Sequence, residues 1–432
     1  MTQYFHSVTL EEEKCKGCTN CIKHCPTEAI RVRNGKAIIM KERCIDCGEC
    51  IKVCPYHAKK AITDSLASIS DYSYKTAIPA PSLYGQFGSA FSRERILKGI
   101  LEIGFDHVFE VSKAAEIVSD ATRQIMSTND LKMPVISSAC PAVVRLIQVR
   151  FPNLIPNILK IESPMEVAAK IAKRTLAKEK GLRLEDIGVF FISPCAAKVT
   201  SVKAPFENKE SYVDGVLAMK DIHLMLLEKM KKLPPDIDGG LVSSGFHGVG
   251  WAGSGGESYA LGNDRYLAVH GIHNVIKVLE EIADDRLEGI EFVEALSCTE
   301  GCLGGPLTVE NPFVARTNLK RQIDMAKETD FSHINKADDY QELLWTRDVE
   351  YKSILKLDNN MAKALKKMKK LEEINDGLPG LDCGACGAPS CRALAEDIVR
   401  GDACETDCIF KLREKVSSLA DQMKALEKLP RS

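Results

Sequence analysis

Seventeen cysteines stand in this chain of 432 residues, and they are clumped rather than scattered. None lies between Cys54 and Cys140, nor between Cys302 and Cys383. Cys15, Cys18, Cys21 and Cys25, followed by Pro26, spell C-x2-C-x2-C-x3-C-P, and Cys44, Cys47, Cys50 and Cys54, followed by Pro55, repeat the run. Three thiolates on one tight loop can cap three corners of a cubane, and the fourth must come from elsewhere. Zinc normally takes its four ligands in two pairs, so two three-plus-one runs argue against it. Residues 1–10 lack the basic-then-apolar plan of a secretory signal. No apolar run approaches 18 residues, so no membrane span is expected. A cytoplasmic chain with clustered cysteines is expected to hold metal rather than disulfides.

Length gives a prior of roughly three domains. Lys plus Arg number 58 against 60 Asp plus Glu, a balance that argues against a general nucleic-acid footprint. The expected organisation is a cysteine-rich module over 1–65, a middle domain over 66–345, a helical linker over 346–378, a second cysteine cluster over 379–408 and a terminal helix over 409–432. In the middle domain, short apolar runs (Val135–Ile136, Gly188–Ile192, Ile290–Leu296) alternate with helical patterns such as Pro164–Lys178 and Ala218–Lys232. That alternation predicts α/β architecture, with parallel sheets flanked by helices. The Gly-rich stretch from Asp238 to Gly262 lacks a P-loop pattern and reads as loop or close backbone packing. After the cap residue Asn360, Met361, Leu365, Met368 and Leu371 form one apolar stripe of a helix over 361–376, whose lysines form a solvated face. Gly377-Leu-Pro-Gly380 reads as a hinge.

The two N-terminal runs resemble the bacterial ferredoxin signature for 4Fe–4S clusters. The resemblance implies an α+β module in which the fourth cysteine of each run crosses over. Cluster one then takes Cys15, Cys18, Cys21 and Cys54, and cluster two takes Cys44, Cys47, Cys50 and Cys25. Residues 1–60 hold 11 Lys/Arg and 7 Asp/Glu, which offsets the formal negative charge of two oxidised clusters. His24 and His57 beside the runs read as packing or surface residues.

Four more cysteines punctuate the middle domain: Cys140 in Ser137-Ser-Ala-Cys-Pro141, Cys195 in Ser193-Pro-Cys-Ala-Ala-Lys198, and Cys298 and Cys302 in Leu296-Ser-Cys-Thr-Glu-Gly-Cys302. Each loop follows an apolar strand-like run, so all are expected at strand C-terminal ends, where α/β folds place ligands. These loops resemble the signature loops of FeFe-hydrogenases (TSCCP, MPCxxKxxE, ExMACxxGCxxGGGxP). The resemblance implies that Cys140, Cys195, Cys298 and Cys302 bind the cubane of an H-cluster, with Cys302 bridging to a diiron subsite carrying carbon monoxide, cyanide and azadithiolate. Maturases insert that subsite. Lys198 matches the lysine that hydrogen-bonds a cyanide, and Ala80, Pro81 and Pro164 match segments lining the diiron pocket. Departures are equally clear. Ala139 stands where the family has a proton-delivering cysteine, Ser193 and Leu296 replace methionines, Ser201 replaces a glutamate, and Met165 replaces a glutamine. Losing general acid–base help typically costs 10²–10⁴-fold. The pattern is similar to sensory-type members, which keep the cluster and drop the cysteine.

Cys383-Gly-Ala-Cys386-Gly-Ala-Pro-Ser-Cys391, with Cys408 after sixteen intervening residues, resembles a small helical domain binding one more 4Fe–4S cluster; Cys404 is spare, or exchanges roles with Cys408. Next, Ile409, Leu412, Val416, Leu419, Met423 and Leu426 follow an a/d heptad spacing that Pro430 ends. This helix either docks on its own chain or serves a second copy or a signalling partner. Three functions are open at this stage: a slow H2-sensing hydrogenase relaying electrons through its clusters, a catalytic hydrogenase coupled to ferredoxin, and a non-enzymatic iron–sulfur protein without diiron, as in assembly factors. The retained Lys198, Ala80, Pro81 and Pro164 favour a filled diiron pocket.

Overall fold

A computed structural model describes residues 5–128, 131–235, 237, 239–327, 335–354 and 356–427. The expected terminator Pro430, Asp238 at the head of the Gly-rich stretch, and the first four residues lie outside these ranges. Two compact units are present. The smaller comprises Thr9–Cys44, Glu49–Lys60 and Ser353–Ser432; the larger comprises Met1–Val8, Ile45–Gly48 and Ala61–Lys352.

In the smaller unit, β1 (Val8–Leu10) pairs with β4 (Lys59–Ala61), and β2 (Ile30–Arg33) pairs antiparallel with β3 (Lys36–Ile39). Short helices Asn20–Lys23 and Glu49–Lys52 carry the third cysteine of each run, Cys21 and Cys50. Two longer helices, Met361–Gly377 and Cys391–Arg400, start at Asn360 and Ser390. Those caps accept backbone N–H groups from Lys363 (3.1 Å) and Ala393 (3.1 Å), satisfying donors that a helix start leaves free. Leu371, Leu378, Ala388 and Leu394 form the core between them. Two expectations need revision. Of the stripe on Met361–Gly377 only Leu371 is buried, joined in the core by the partly buried Ile374, while Met361 and Leu365 are 76% and 64% exposed. Leu378, inside the expected hinge, is itself a core residue and ties that segment down. The last helix, Ile409–Glu427, keeps its whole a/d stripe in solvent (Val416 57%, Leu419 52%, Met423 65% exposed), so among the described residues it does not dock on its own chain.

The larger unit is built on two parallel sheets. Its strands are β5 (Tyr74–Pro79), β6 (His107–Val108), β7 (Val135–Ile136), β8 (Ile187–Ser193), β9 (Gly215–Ala218), β10 (Tyr266–His270) and β11 (Phe292–Leu296). They are ordered β6-β5-β8-β9 and β10-β11-β7. Every residue of β8 is buried, as a continuous Val-Phe-Phe-Ile run requires when helices cover both faces of a sheet. Helices Pro164–Lys180 and Met219–Lys232 fall where the periodicity places them. No helix among the described residues is long and apolar enough to cross a membrane.

The Gly-rich stretch is close backbone packing. It forms helices Phe246–Gly250 and Gly256–Leu261, and the first abuts helix Val111–Thr128 so tightly that a Cβ on Gly248 would lie 2.0 Å from the Ser112 carbonyl oxygen. From the same helix, Glu116 accepts the amides of Gly245 (2.9 Å) and Gly248 (3.1 Å). Gly248→Ala is therefore expected to destabilise the protein by about 1–3 kcal/mol through overpacking against backbone that cannot yield. A lowered denaturation midpoint checks this; an unchanged midpoint contradicts the packing argument.

Candidate metal centre

Three strand ends build the site. β7 stops at Ile136, and Cys140 follows as the residue before helix Pro141–Arg150, with Pro141 at the first helical position. β8 stops at Ser193, whose Oγ accepts the Cys195 amide (3.0 Å) just before helix Ala196–Lys203. β11 stops at Leu296. Beyond it, Glu300 and Gly301 take positive φ (56° and 67°) and wrap the chain back, and the Cys302 amide donates to the Ala252 carbonyl (2.9 Å). The structure thereby brings Cys140, Cys195, Cys298 and Cys302 onto one cavity with about 870 Å³ of space free of protein atoms. Ala80, Pro81, Pro164 and Lys198 line the same cavity, as do Ala139, Met165 and Leu296 from the positions of departure.

The chemistry of this donor set fits an iron–sulfur group. Burial, helped by the charges of Cys298 and Cys140, pushes the Cys195 thiol up to about 12, and burial lifts Cys302 well above the ordinary thiol range. Four thiolates in an almost wholly apolar enclosure need a polycationic centre among them. Lys198 adds a second requirement. Its Nζ is buried with no hydrogen-bond partner, and a buried ammonium left so costs several kcal/mol unless an anion satisfies it.

Two other four-cysteine pockets give a scale. Cys15, Cys18, Cys21 and Cys54 line one of about 340 Å³, the crossed-over set that the ferredoxin resemblance implies. Burial raises the Cys54 thiol, but backbone amides, including that of Ala58 (3.3 Å), hold it below the ordinary value. Cys25 accepts the corresponding amide of Ala29 (3.2 Å). Cys383, Cys386, Cys391 and Cys408 line a pocket of about 310 Å³. Cys404 does not line it; exposed, its Sγ contacts Asp407 Oδ1 (3.3 Å) in a surface turn. With the same number of cysteines, the central cavity is more than twice as large as either. Of the remaining set, Cys50 is buried and Cys25, Cys44 and Cys47 are half-buried. His24 and His57 are exposed, the former 2.8 Å from the Asn20 carbonyl.

Four carboxylates near the centre went unread in the sequence. Glu257 and Glu294 line the cavity itself. Burial, then the charge of Glu294, pushes Glu257 up to about 8. Glu294 is raised too, although it accepts the amides of Gly255 (2.8 Å) and Ser258 (2.9 Å). Ser137 donates to Glu257 Oε2 (2.7 Å) and accepts the Ala139 amide (3.2 Å), so Glu257 is tied to the loop that lacks the family's cysteine. Around a second pocket of about 200 Å³ stand Glu166, Glu207 and Ser201, and burial pushes Glu207 up to about 8 against the opposing charge of Lys198. The charge of Lys198 is thus felt by a buried carboxyl although position 201 offers none, while its Nζ has no hydrogen-bond partner. The available signal was Glu294 inside the otherwise apolar Phe-Val-Glu-Ala-Leu strand, since an acid there is rarely buried without a task.

Comparisons with known proteins agree with this construction. The family described as "Iron only hydrogenase large subunit, C-terminal domain" matches residues 74–263 and 253–306, a "4Fe-4S dicluster domain" matches 7–55, and a "Putative Fe-S cluster" matches 378–410. The chain is 25% identical over 398 residues to the periplasmic [Fe] hydrogenase large subunit of Nitratidesulfovibrio vulgaris, covering 77% of this chain and 94% of that protein. It is 22% identical to a cytosolic Fe-S cluster assembly factor NAR1 homolog of Schizosaccharomyces japonicus, covering 53% and 44%. It spans less than two thirds of two further hydrogenases that it matches. In fold it is similar to a variant of [FeFe]-hydrogenase HydA1 from Chlamydomonas reinhardtii (TM-score 0.52, 15% identity, 67% of this chain and 98% of that one). With more than half its length matched by the iron-only hydrogenase domain, preceded by a dicluster ferredoxin module, the chain belongs to the FeFe-hydrogenase H-cluster family.

Proposed function

We propose that this protein is a slow FeFe-hydrogenase of the sensory type. It interconverts H2 with protons and electrons at an H-cluster and relays the electrons through three further 4Fe–4S clusters. One observation carries the reading: the central cavity holds four cysteines, like the two smaller pockets, yet offers more than twice their space, and the surplus is bordered by the unpartnered Lys198 ammonium. An iron–sulfur protein holding only a cubane has no use for either. Cys140, Cys195, Cys298 and Cys302 would hold the cubane, Cys302 would bridge to the diiron unit, and Lys198 would donate to an anionic ligand of it. Ala80, Pro81 and Pro164 would exclude water from its surroundings. When bound, that unit supplies heterolytic H2 cleavage.

The chain's own contribution is the proton. Ala139 cannot carry one. Glu257 holds one near neutral pH because burial and Glu294 oppose its ionisation, and Ser137 Oγ lies 2.7 Å from it. Proton delivery to the cavity then depends on a carboxyl that is protonated below about pH 8 and loses its proton above. The setting is proposed as cytoplasmic, with ferredoxin as redox partner and dedicated maturases loading the diiron unit.

Wild-type turnover is expected to lie far below that of relatives with a cysteine in place of Ala139, and Glu257→Gln to lower H2 evolution by a further 10²-fold or so. Evolution should decline as pH rises through about 8, and the variant should lose that decline. An H2-evolution assay on matured protein across pH checks both. A fast wild type, or a Glu257→Gln variant with an unaltered rate and pH profile, contradicts the proposal.

The terminal helix would carry the output. Its exposed stripe places Ile409, Val416 and Met423 at a and Leu412, Leu419 and Leu426 at d; β-branched residues at a with Leu at d favour a parallel two-stranded coil, here of two copies of this chain. Leu419→Glu is expected to convert a dimer to a monomer in sedimentation experiments, while a wild type that is monomeric at micromolar concentration removes this part of the reading.

A further inference from the structure

Within the smaller unit, the loop of Cys383, Cys386, Cys391 and Cys408 meets the pocket of Cys15, Cys18, Cys21 and Cys54 at Val32. Val32 lines the latter pocket. Its amide donates to the Gly387 carbonyl (2.8 Å), and Gly387 directly follows Cys386. The approach is backbone against backbone: at Gly387 (φ +80°) a Cβ would lie 2.0 Å from the Val32 carbonyl oxygen, so only glycine fits. A second contact runs beside it. A Cβ on Gly384 would meet Ile22 and Lys23, the residues after Cys21, at 3.4 Å.

Buried charge fixes this approach. Arg31 Nε and Arg33 Nη2 both donate to Asp397 Oδ2 (2.7 and 2.6 Å), and Arg33 Nη1 donates to the Cys386 carbonyl (2.9 Å). Arg43 pairs with Glu396, which Arg400 also holds (2.8 Å). The side chains of Arg31, Arg43, Asp397 and Glu396 are 3–5% exposed. Removing one partner of a buried pair typically costs 3–5 kcal/mol because it strands the other charge, so these pairs hold the two cysteine loops in one geometry. Nothing in metal binding by either set alone requires them.

We propose that these two sites are an electron-transfer pair, resting on the reading that each holds a 4Fe–4S cluster. One electron leaves the reduced member, which becomes oxidised by one unit, and enters the other, which becomes reduced by one; no bond or proton changes place. The route is Cys386, Gly387, the hydrogen bond to Val32, and the apolar Val32 side chain at the wall of the other pocket. The C-terminal cluster is then a working end of the relay rather than an isolated structural group, and Cys408 places its charge at the start of Ile409–Glu427.

The test is electron paramagnetic resonance of the dithionite-reduced, reconstituted full-length chain. Wild type, Gly387→Val, Arg33→Met and Cys391→Ser are compared, with iron content measured on each. Wild type should hold about 16 iron and Cys391→Ser about 12, at four per cubane. A part of the spin–spin splitting present in wild type should vanish in Cys391→Ser and also in Gly387→Val, although Gly387→Val retains about 16 iron; Arg33→Met should weaken it if Gly387→Val fails to fold. Full iron with a wild-type spectrum equal to that of Cys391→Ser plus an isolated cluster overturns the pairing alone. Equal iron in wild type and Cys391→Ser overturns the cluster assignment and the pairing with it.

Discussion

The four cysteines gathered on one cavity, two of them (Cys195 and Cys302) with thiols raised by burial, organise the larger unit. Each of the three loops that deliver them begins where a parallel strand ends, and the enclosure is apolar enough to raise Cys195 to about 12. Neutralising four thiolates there takes a metal centre, and the rest of the cavity answers to that centre: Lys198 waits for an anion, and prolines and alanines close the walls. The polar groups admitted to it, Glu257 and Glu294, ionise reluctantly. Holding them there has a folding cost, since a carboxyl that keeps its proton to about pH 8 opposes folding increasingly as pH rises above the ordinary carboxylate range. A residue kept at such a cost next to a redox centre is better explained by proton handling than by packing.

The smaller unit handles charge differently. Its cysteine pockets lie close to the surface, its core is small, and buried arginine–carboxylate pairs hold the C-terminal loops against β2 and its neighbours. Ion pairs of this kind add little net stability compared with an apolar replacement, but they specify geometry strongly. Specified geometry is what electron transfer between fixed groups needs. The exposed heptad stripe beginning at Ile409 extends the same logic outward: a helix whose apolar stripe has no partner among the described residues is available to a second copy.

Much of this was legible in the sequence because thiol spacing and strand periodicity are local signals. The expectation that the three strand ends would bring Cys140, Cys195, Cys298 and Cys302 together came from motifs read in place; Cys54 beside Cys15, Cys18 and Cys21, and Lys198 at the same cavity, came from the family resemblance that those motifs carry. What was illegible is long-range. Glu257 and Glu294 are 37 positions apart and become a pair only when β11 and helix Gly256–Leu261 meet; Glu207 feels the charge of Lys198 from a loop with no motif of its own. Arg31 and Asp397 pair across nearly the whole chain. The stripe on Met361–Gly377 misled because amphipathic spacing shows which residues could be buried, while the small partner surface available covers only Leu371.

An infrared spectrum of the chain co-produced with hydrogenase maturases tests most directly whether the central cavity holds diiron. The proposal predicts cyanide and carbonyl stretching bands, with the cyanide band displaced in Lys198→Ala because its hydrogen-bond donor is gone. An iron-replete protein that shows no such bands after maturation would be a cubane-only relative, and the hydrogenase reading would be wrong.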